Sequence, residues 1–289
     1  MTTDAAPLFG SVALAERIER VETQLITAAT EAARVRVGAG AFVIPITCGA
    51  ACYAEDGSPL NKIVGLGFGG VPSGDSLDEI EQAFAARACA AQVELSNLAD
   101  PAIGAALTHR GYQLVSFENV LGRSLQGLQR PVPPSGVEVR LSDDRAAWLD
   151  IVVEGFAHPD IEGVPSHEDF PREVVEKAIG DMEQAGATPY LAFRGGVVAG
   201  GASMRISEGV AQLTGAATAP AHRRHGVQTG CCRRGWPTLS APAATSPSSP
   251  PSPVRNRSRT CNAEVFTCST PARCSSRADP YRSFHNGVL

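Results

Sequence analysis

At 289 residues, 43% hydrophobic and 19% charged, the chain has enough apolar material for two globular domains, which excludes a low-complexity or wholly disordered polymer. Its net charge of −5 conceals an asymmetry: residues 231–289 hold eight Arg against only Glu264 and Asp279, while the first 230 residues are acidic. The opening "MTTDAAPLFGSVALAERIER" lacks the basic and apolar regions of a secretion signal, and no apolar run approaches the ~20 residues that cross a bilayer. The expectation is a cytoplasmic chain with no membrane association.

In chain order, "LAERIERVETQLITAATEAAR" (14–34) has the spacing of an amphipathic helix. "AFVIPIT" (41–47) and "NKIVGLGF" (61–68) read as strands. "SLDEIEQAFAARA" (76–88) reads as a helix with a capping box, Ser76 to Glu79. "AQVELS" (91–96) is a strand, and "DPAIGAALTHRGY" (100–112) a helix with proline in its first turn. "QLVSFENVLGRSL" (113–125) alternates as a pair of strands would. "GLQRPVPPSG" (127–136) has three prolines and two glycines and no apolar pattern, so it reads as a linker. Two units result, 1–126 and 137–230.

The second unit opens with a strand in "VEVRLSDD", then a helix in "RAAWLDIVVEGFA" (145–157) and another in "PREVVEKAIGDMEQA" (171–185). Strands at 189–196, 197–207 and 210–220 come next, the first two joined by a tight Gly195-Gly196 turn. The third hands over to "PAHRRHGVQTG". A basic, glycine-containing turn between a strand and a helix presents successive backbone amides and the positive end of a helix dipole, which together suit a pyrophosphate. Arg223 and Arg224 add charge, and Gly226 permits close approach of the backbone.

This segment resembles the acetyl-CoA motif of the GCN5-related N-acetyltransferase superfamily, Gln/Arg-x-x-Gly-x-Gly/Ala, with Arg223, Gly226 and Gln228 at its three positions. The resemblance implies a mixed α/β acyl-CoA N-acyltransferase-like fold. It also implies transfer of acetyl from acetyl-CoA to an amine carried by a small molecule, peptide or protein. By the same resemblance Ala217, Thr218 and Ala219 run beside the pantetheine arm. Arg223, Arg224, His225, Gly226, Val227, Gln228 and Thr229 surround the pyrophosphate. The acceptor belongs near Glu154, Phe156 and His158, and Glu154, His158 and Glu208 are the candidate bases. No metal is implied: Cys48 and Cys52 have no second pair to complete a site, and five of the eight cysteines fall after Gly230.

After Gly230 the family pattern stops. Residues 231–289 have the composition of an irregular, largely unstructured basic tail. A change of reading frame near the Gly230 codon accounts for this. With only degenerate bases chosen freely, 255–266 read from the third base of each codon gives "KSQQNVQRRGF", which resembles the family's second helix and Gly-Phe turn. The same frame gives "LLSARLADAERAGCDIAVVTTQPGS" for 230–254 and "HLLYTRAVLV" for 266–276: helix, strand and closing strands in family order. The N-terminal unit repeats that order, with Arg110-Gly111-Tyr112 matching Arg-Gly-Phe. This points to an internal duplication whose first copy, 1–126, is degenerate and lacks the basic turn. On these terms 137–230 is an incomplete acetyltransferase unit and the chain's activity is impaired.

Two rival readings have sequence support. "GLGFGG" matches a dinucleotide fingerprint at Gly65, Gly67 and Gly70, with Glu94 where a ribose-binding acid belongs, but Pro72 and further residues separate the glycines from the helix. The Arg-rich tail, taken as genuine, would be a nucleic-acid- or partner-binding arm of a non-catalytic protein. It carries no interleaved aromatics over 237–264, which disfavours nucleic acid.

Overall fold

A computed structural model of this chain describes residues 10–120, 122, 124, 134–158, 170–234 and 261–268. The expected linker lies outside the described residues except for 134–136, as does most of the expected tail. Two sheets, one of six strands and one of four, account for the strands of the described residues.

The first half begins with α1 (Val12–Val37), capped by Ser11 and stopped at Gly38, whose φ of 72° ends the helix. Strands β1 (Phe42–Ile46), β2 (Gly49–Tyr53) and β3 (Lys62–Leu66) form an antiparallel meander, and β4 (Gln92–Ser96) lies parallel to β3 across α2 (Gly74–Ala85). Helix α3 (Pro101–His109) leads into β5 (Tyr112–Val120). One sheet face is covered by α1, whose Ile26, Ala29 and Ala33 meet the small residues Ala50 and Cys52 of β2. The other is covered by Leu77, Ile80 and Phe84 of α2 with Ile103 and Leu107 of α3. Strand β2, "GAACY", has no counterpart among the sequence expectations. Its small side chains have little strand preference, and it is stabilised by the close seat they give α1.

The second half contains β6 (Val137–Leu141), α4 (Arg145–Ala157), α5 (Arg172–Gln184), β7 (Thr188–Arg194), β8 (Val197–Ser207), β9 (Val210–Thr218) and α6 (Val227–Arg234). Its four strands are antiparallel neighbours. Trp148, Ile151 and Val152 of α4 and Ile179 of α5 pack on one face. Val227 and Cys231 of α6 pack on the other, against Val137, Ala192, Ala199 and Ala202. The Gly195-Gly196 turn has φ of 61° and 81°, the left-handed pair that joins twisted strands.

Three expectations change. The α2 cap is Ser73 rather than Ser76: Ser73 Oγ accepts the Ser76 amide at 3.1 Å, because the helix starts at Gly74. Of the strand pair expected over 113–125, the described residues form the single strand β5 as far as Val120, and 121, 123 and 125 lie outside the described residues; the neighbour of β5 is β10 (Cys261–Cys268), antiparallel to both β4 and β5. The stretch after Gly230 is not uniformly irregular: α6 continues to Arg234 and β10 is a strand.

Helix α1 serves both halves. Beyond its seat on β2, Gln24 Nε2 donates to Glu208 Oε1 at 2.6 Å, and Ser207 Oγ donates to Gln24 Oε1 at 2.7 Å. Gln212 of β9 donates to Glu22. Arg36 pairs with the buried Asp181 of α5 and with Glu55, each at 2.6 Å. Arg36 itself is exposed, so the buried carboxylate of Asp181 is reached from the rim by a cation that also bonds Glu55.

Candidate functional site

The site is built on β9 and the basic turn beyond its end. The β8–β9 register runs from Ser203↔Thr214 to Gly201↔Ala217, so Gly215 and Ala216 both lie opposite Ala202. This is a β-bulge, which leaves an extra residue unpaired and bends the strand. Gly215 supplies the left-handed backbone, φ 54°. Below the bulge, Ser203 Oγ and Thr214 Oγ1 are 2.6 Å apart and buried. Opposite it, Trp148 Nε1 donates to the Ala202 carbonyl at 3.1 Å. Above it, α4 comes so near that a Cβ on Gly155 would lie 2.5 Å from Ala217 Cβ. The sequence expectations include none of these supports. The glycines were the available signal, since Gly155 in a helix pattern and Gly200-Gly201 and Gly215 in strand patterns each mark close approach or a bulge.

Strand β9 ends at Thr218, and a single 3₁₀ turn, Pro220–His222, leads to the basic turn. Arg224 and Gly226 have φ of 63° and 79°. The two left-handed residues, one on each side of His225, turn the chain sharply into the helix beyond. Helix α6 then starts at Val227. The amides of Val227, Gln228 and Thr229 lie in its first turn, where no intrahelical acceptor exists, and the first turn has no acidic residue. Val227 is 2% exposed and anchors the helix to the sheet, a burial worth about 1.5–3 kcal/mol. Gln228 and Thr229 face solvent.

Two motif residues have roles other than those expected. Arg223 does not stand free for phosphate: its Nε donates to the Thr218 carbonyl at 3.3 Å and its Nη2 to the His158 carbonyl. It ties the end of β9 to the end of α4. Gly226 is required from the inside, because a Cβ there would lie 2.9 Å from Pro134 Cβ. Arg224 and His225 are exposed, and His225 Nδ1 donates to the Arg223 carbonyl at 2.7 Å. The Cys231 thiol, beneath the turn, is pushed up to about 12, first by burial, and so stays protonated.

The structure separates the three candidate bases. His158 ends α4, and its Nδ1 donates to the Glu154 carbonyl at 3.0 Å. Through its own carbonyl it is joined to Arg223. Glu154 is exposed one turn earlier, beside the half-exposed Phe156. Glu208 is not brought to the site. It occupies the β8–β9 turn, at the far end of a nine-residue strand that is about 30 Å long. There its carboxylate is held below the usual range by hydrogen bonds from Gln24 and then Arg20.

The glycine run of the first half is not a dinucleotide site. Gly67 faces Ala99 and Gly69 faces Cys48, each too close for a Cβ, and the Ser73 side chain fills the first turn of α2. Glu94 accepts Lys62 Nζ at 2.5 Å instead of facing an open ribose position. Among the described residues no group of His, Cys, Asp and Glu is arranged to hold a metal, and no helix is long and apolar enough to cross a membrane.

No protein-family model matches the chain, and no curated protein matches it. Among solved structures it is similar to a GCN5-related N-acetyltransferase from Kribbella flavida. The TM-score is 0.53 and the identity 18%, over 84% of this chain and 96% of that one. It is also similar to a tandem GNAT protein from the clavulanic acid biosynthesis pathway, at TM-score 0.43 and 14% identity, over 91% and 97%. A GCN5-related N-acetyltransferase from Sphaerobacter thermophilus gives 0.41 and 12%, over 66% of each chain. The first likeness, along nearly the whole of that protein, shows the fold: a mixed α/β acyl-CoA N-acyltransferase fold.

Proposed function

We propose that the second half, 137–230, is an N-acetyltransferase unit that moves the acetyl group of acetyl-CoA to an amine, and that this chain carries it in impaired form. The observation that carries the reading is the turn at 223–226. It comes after a bulged strand, places a left-handed residue on each side of His225, and opens a helix whose first turn is free of acid. That arrangement suits a pyrophosphate. The amides of His225 to Thr229 would face the phosphates, with Arg224 supplying charge. Ala217, Thr218 and Ala219 would line the pantetheine arm.

In the reaction the amine nitrogen attacks the thioester carbonyl, the C–S bond breaks, the thiolate leaves as CoA, and the amine gives up a proton. His158 would take that proton, directly or through water: its ring is anchored by Nδ1 to the Glu154 carbonyl, and its own carbonyl is tied to Arg223 of the turn. The acceptor would be a small molecule, peptide or protein amine in the cytoplasm.

The impairment comes from the loss of a strand after α6. In the first half, the helix after β3 is succeeded by a strand, β4, that pairs with β3. In the second half, no strand among the described residues lies on the outer side of β9. A pantetheine seated there would lack one wall. The frame change near Gly230 explains the loss, and the two units, 1–126 and 137–230, are copies of one ancestral domain.

Calorimetric titration with CoA and acetyl-CoA, paired with thiol release over a panel of amines, tests the reading. Binding with weak or no turnover is expected. An absence of CoA binding at millimolar concentration would overturn it.

A further inference from the structure

The six-stranded sheet of the first half is completed by a strand from the far end of the chain. Strand β10 lies between β4 and β5 and is antiparallel to both. Among the described residues β5 pairs with no other strand, so β10 alone ties it into the sheet. Taken away, β10 would leave a slot one strand wide. The inner N–H and C=O groups of β4 and β5, two strands that run parallel to each other about 10 Å apart, would face each other across it.

The strand in the slot fits it imperfectly. Phe266 stands between Val93 and Leu114, a row that is apolar throughout. Two positions earlier Glu264 stands between Leu95 and Phe117, a charged residue in an otherwise apolar row. Residues two apart on a strand share a face, and Val93 and Leu95 are both buried in the core. Positions 264 and 266 therefore call for the same kind of residue, and a carboxylate gains nothing from Leu and Phe as cross-strand neighbours. The ladder to β5 also shifts between Val265 and Phe266, passing over Val115. Along this stretch Leu114, Val115 and Phe117 of β5 are left 45%, 41% and 48% exposed. Residues 235–260 join α6 to β10, a length of chain that reaches up to ~85 Å when extended. It is long enough for the strand to leave the slot while α6 stays in place.

We propose that the slot between β4 and β5 is a binding site for an extended peptide with apolar residues at alternate positions, and that residues 261–268 are its exchangeable resident. Such a ligand adds as a strand: main-chain hydrogen bonds to β4 and β5 hold it, and the Leu95–Phe117 and Val93–Leu114 rows select it. The proposal concerns the first half and does not rest on the acetyl-transfer reading.

Val265→Pro in the full chain vacates the slot, because proline donates no N–H and is excluded from a central strand. Two synthetic peptides are titrated against it by fluorescence anisotropy under reducing conditions: residues 259–270, and the same peptide carrying Glu264→Leu. Both are expected to bind, the Glu264→Leu peptide about 10-fold more tightly, the worth of two improved cross-strand pairs. The parent chain is expected to bind each peptide about 10-fold or more weakly than the variant does, since its own strand is tethered at roughly millimolar effective concentration. Amide hydrogen exchange over 92–96 and 112–120 is expected to be faster in the variant than in the parent and to slow again with peptide bound, with exchange over 188–194 constant. A variant that keeps the parent exchange over 188–194 and takes up neither peptide overturns the proposal, as does equal affinity for the two peptides. Should Val265→Pro not fold, Val120→Cys tests the resident strand in place. Cys261 is the register partner of that position, and antiparallel partners lie near enough for a disulfide. Mild oxidation is expected to join the two, and an excess of the Glu264→Leu peptide to cut the yield at least about twofold. No disulfide, or a yield indifferent to the peptide, counts equally against the proposal.

Discussion

Strands β3 and β9 are the same device in two states. Each comes after a hairpin, each carries a bulge at a left-handed glycine, Gly65 or Gly215, and each hands over to a helix. Around β3 everything is closed. Strand β4 pairs with it as far as Leu66↔Leu95, and the Asp100 amide donates to the Gly67 carbonyl at 3.0 Å beyond that point. The next helix is capped by its own Ser73 and has Asp75 in its first turn. Around β9 everything is open: the outer edge is unpaired among the described residues, and Gly226, with no side chain to cap, precedes a first turn without acid. A side-chain cap and an acid consume the helix N-terminus that an anion would otherwise use. The helix N-terminus is therefore taken up by the chain's own side chains in the first half and left open in the second.

The largest effect expected comes from giving the second half what the first has. A gene with one base restored near the Gly230 codon should yield a chain in which a strand pairs with β9. Thiol release from acetyl-CoA should then rise on the order of 100-fold or more, the usual worth of completing a preorganised site. Equal turnover by the two chains would break the comparison. So would sequencing that finds the present frame sound and no better downstream alternative.

A smaller, sharper test exchanges the two loops' glycines. Gly226→Ala meets both a φ of 79° and Pro134, and should cost about 2–4 kcal/mol and abolish measurable CoA binding. Gly70→Ala has a φ of 89° but open space around it, and should cost about 1–2 kcal/mol with CoA binding unchanged. Urea unfolding and CoA titration read both. Equal losses of CoA affinity would show that the loops do not differ in function.

Much of this contrast is visible in the residues themselves. Periodicity locates α1, α4 and α5, and the glycine pair locates the β7–β8 turn, because each rests on local sequence. The basic turn is legible for the same reason. The features that escape are non-local. Arg223 looks like a phosphate ligand until Thr218 and His158 are seen to occupy it. Strand β2 depends on α1 packing across it, and Trp148 looks like ordinary core until its N–H is traced to Ala202. Glu208 sits near the motif in sequence, yet a full strand carries it to the other end of the sheet.

The seam between the halves makes stability depend on pH. Glu19 of α1 lies near Glu94 of β4 and near Glu22, which holds Gln212 of β9. Burial first, then the Glu94 and Glu22 carboxylates, pushes the Glu19 carboxyl from 4.5 up to about 8. Below pH 4.5 both folded and unfolded chains hold the proton, and Glu19 costs nothing. Between 4.5 and 8 only the folded chain holds it, so stability falls as pH rises, by at most about 1.4 kcal/mol per pH unit. Above 8 the loss is complete. The side chain keeps partial access to water, so the real fall is a fraction of this limit. Glu19→Gln should gain about 1–3 kcal/mol over the parent at about pH 8.5, shrinking to nothing near pH 4.5, as followed by urea unfolding across that range. A pH-independent difference would remove Glu19 as the source.

The smallest effect belongs to Glu208. Its φ of 48° and its bonds to Gln24, Arg20 and Arg17 mark it as the clasp between the β8–β9 turn and α1. Glu208→Ala should lower the unfolding temperature slightly and leave CoA and acetyl-CoA affinities as they were, since the bulge, the basic turn and His158 all lie toward the other end of β9. If acetyl transfer nonetheless falls while affinity holds, the clasp must reach the chemistry through α1. The first half would then be a working part of the site rather than its closed counterpart.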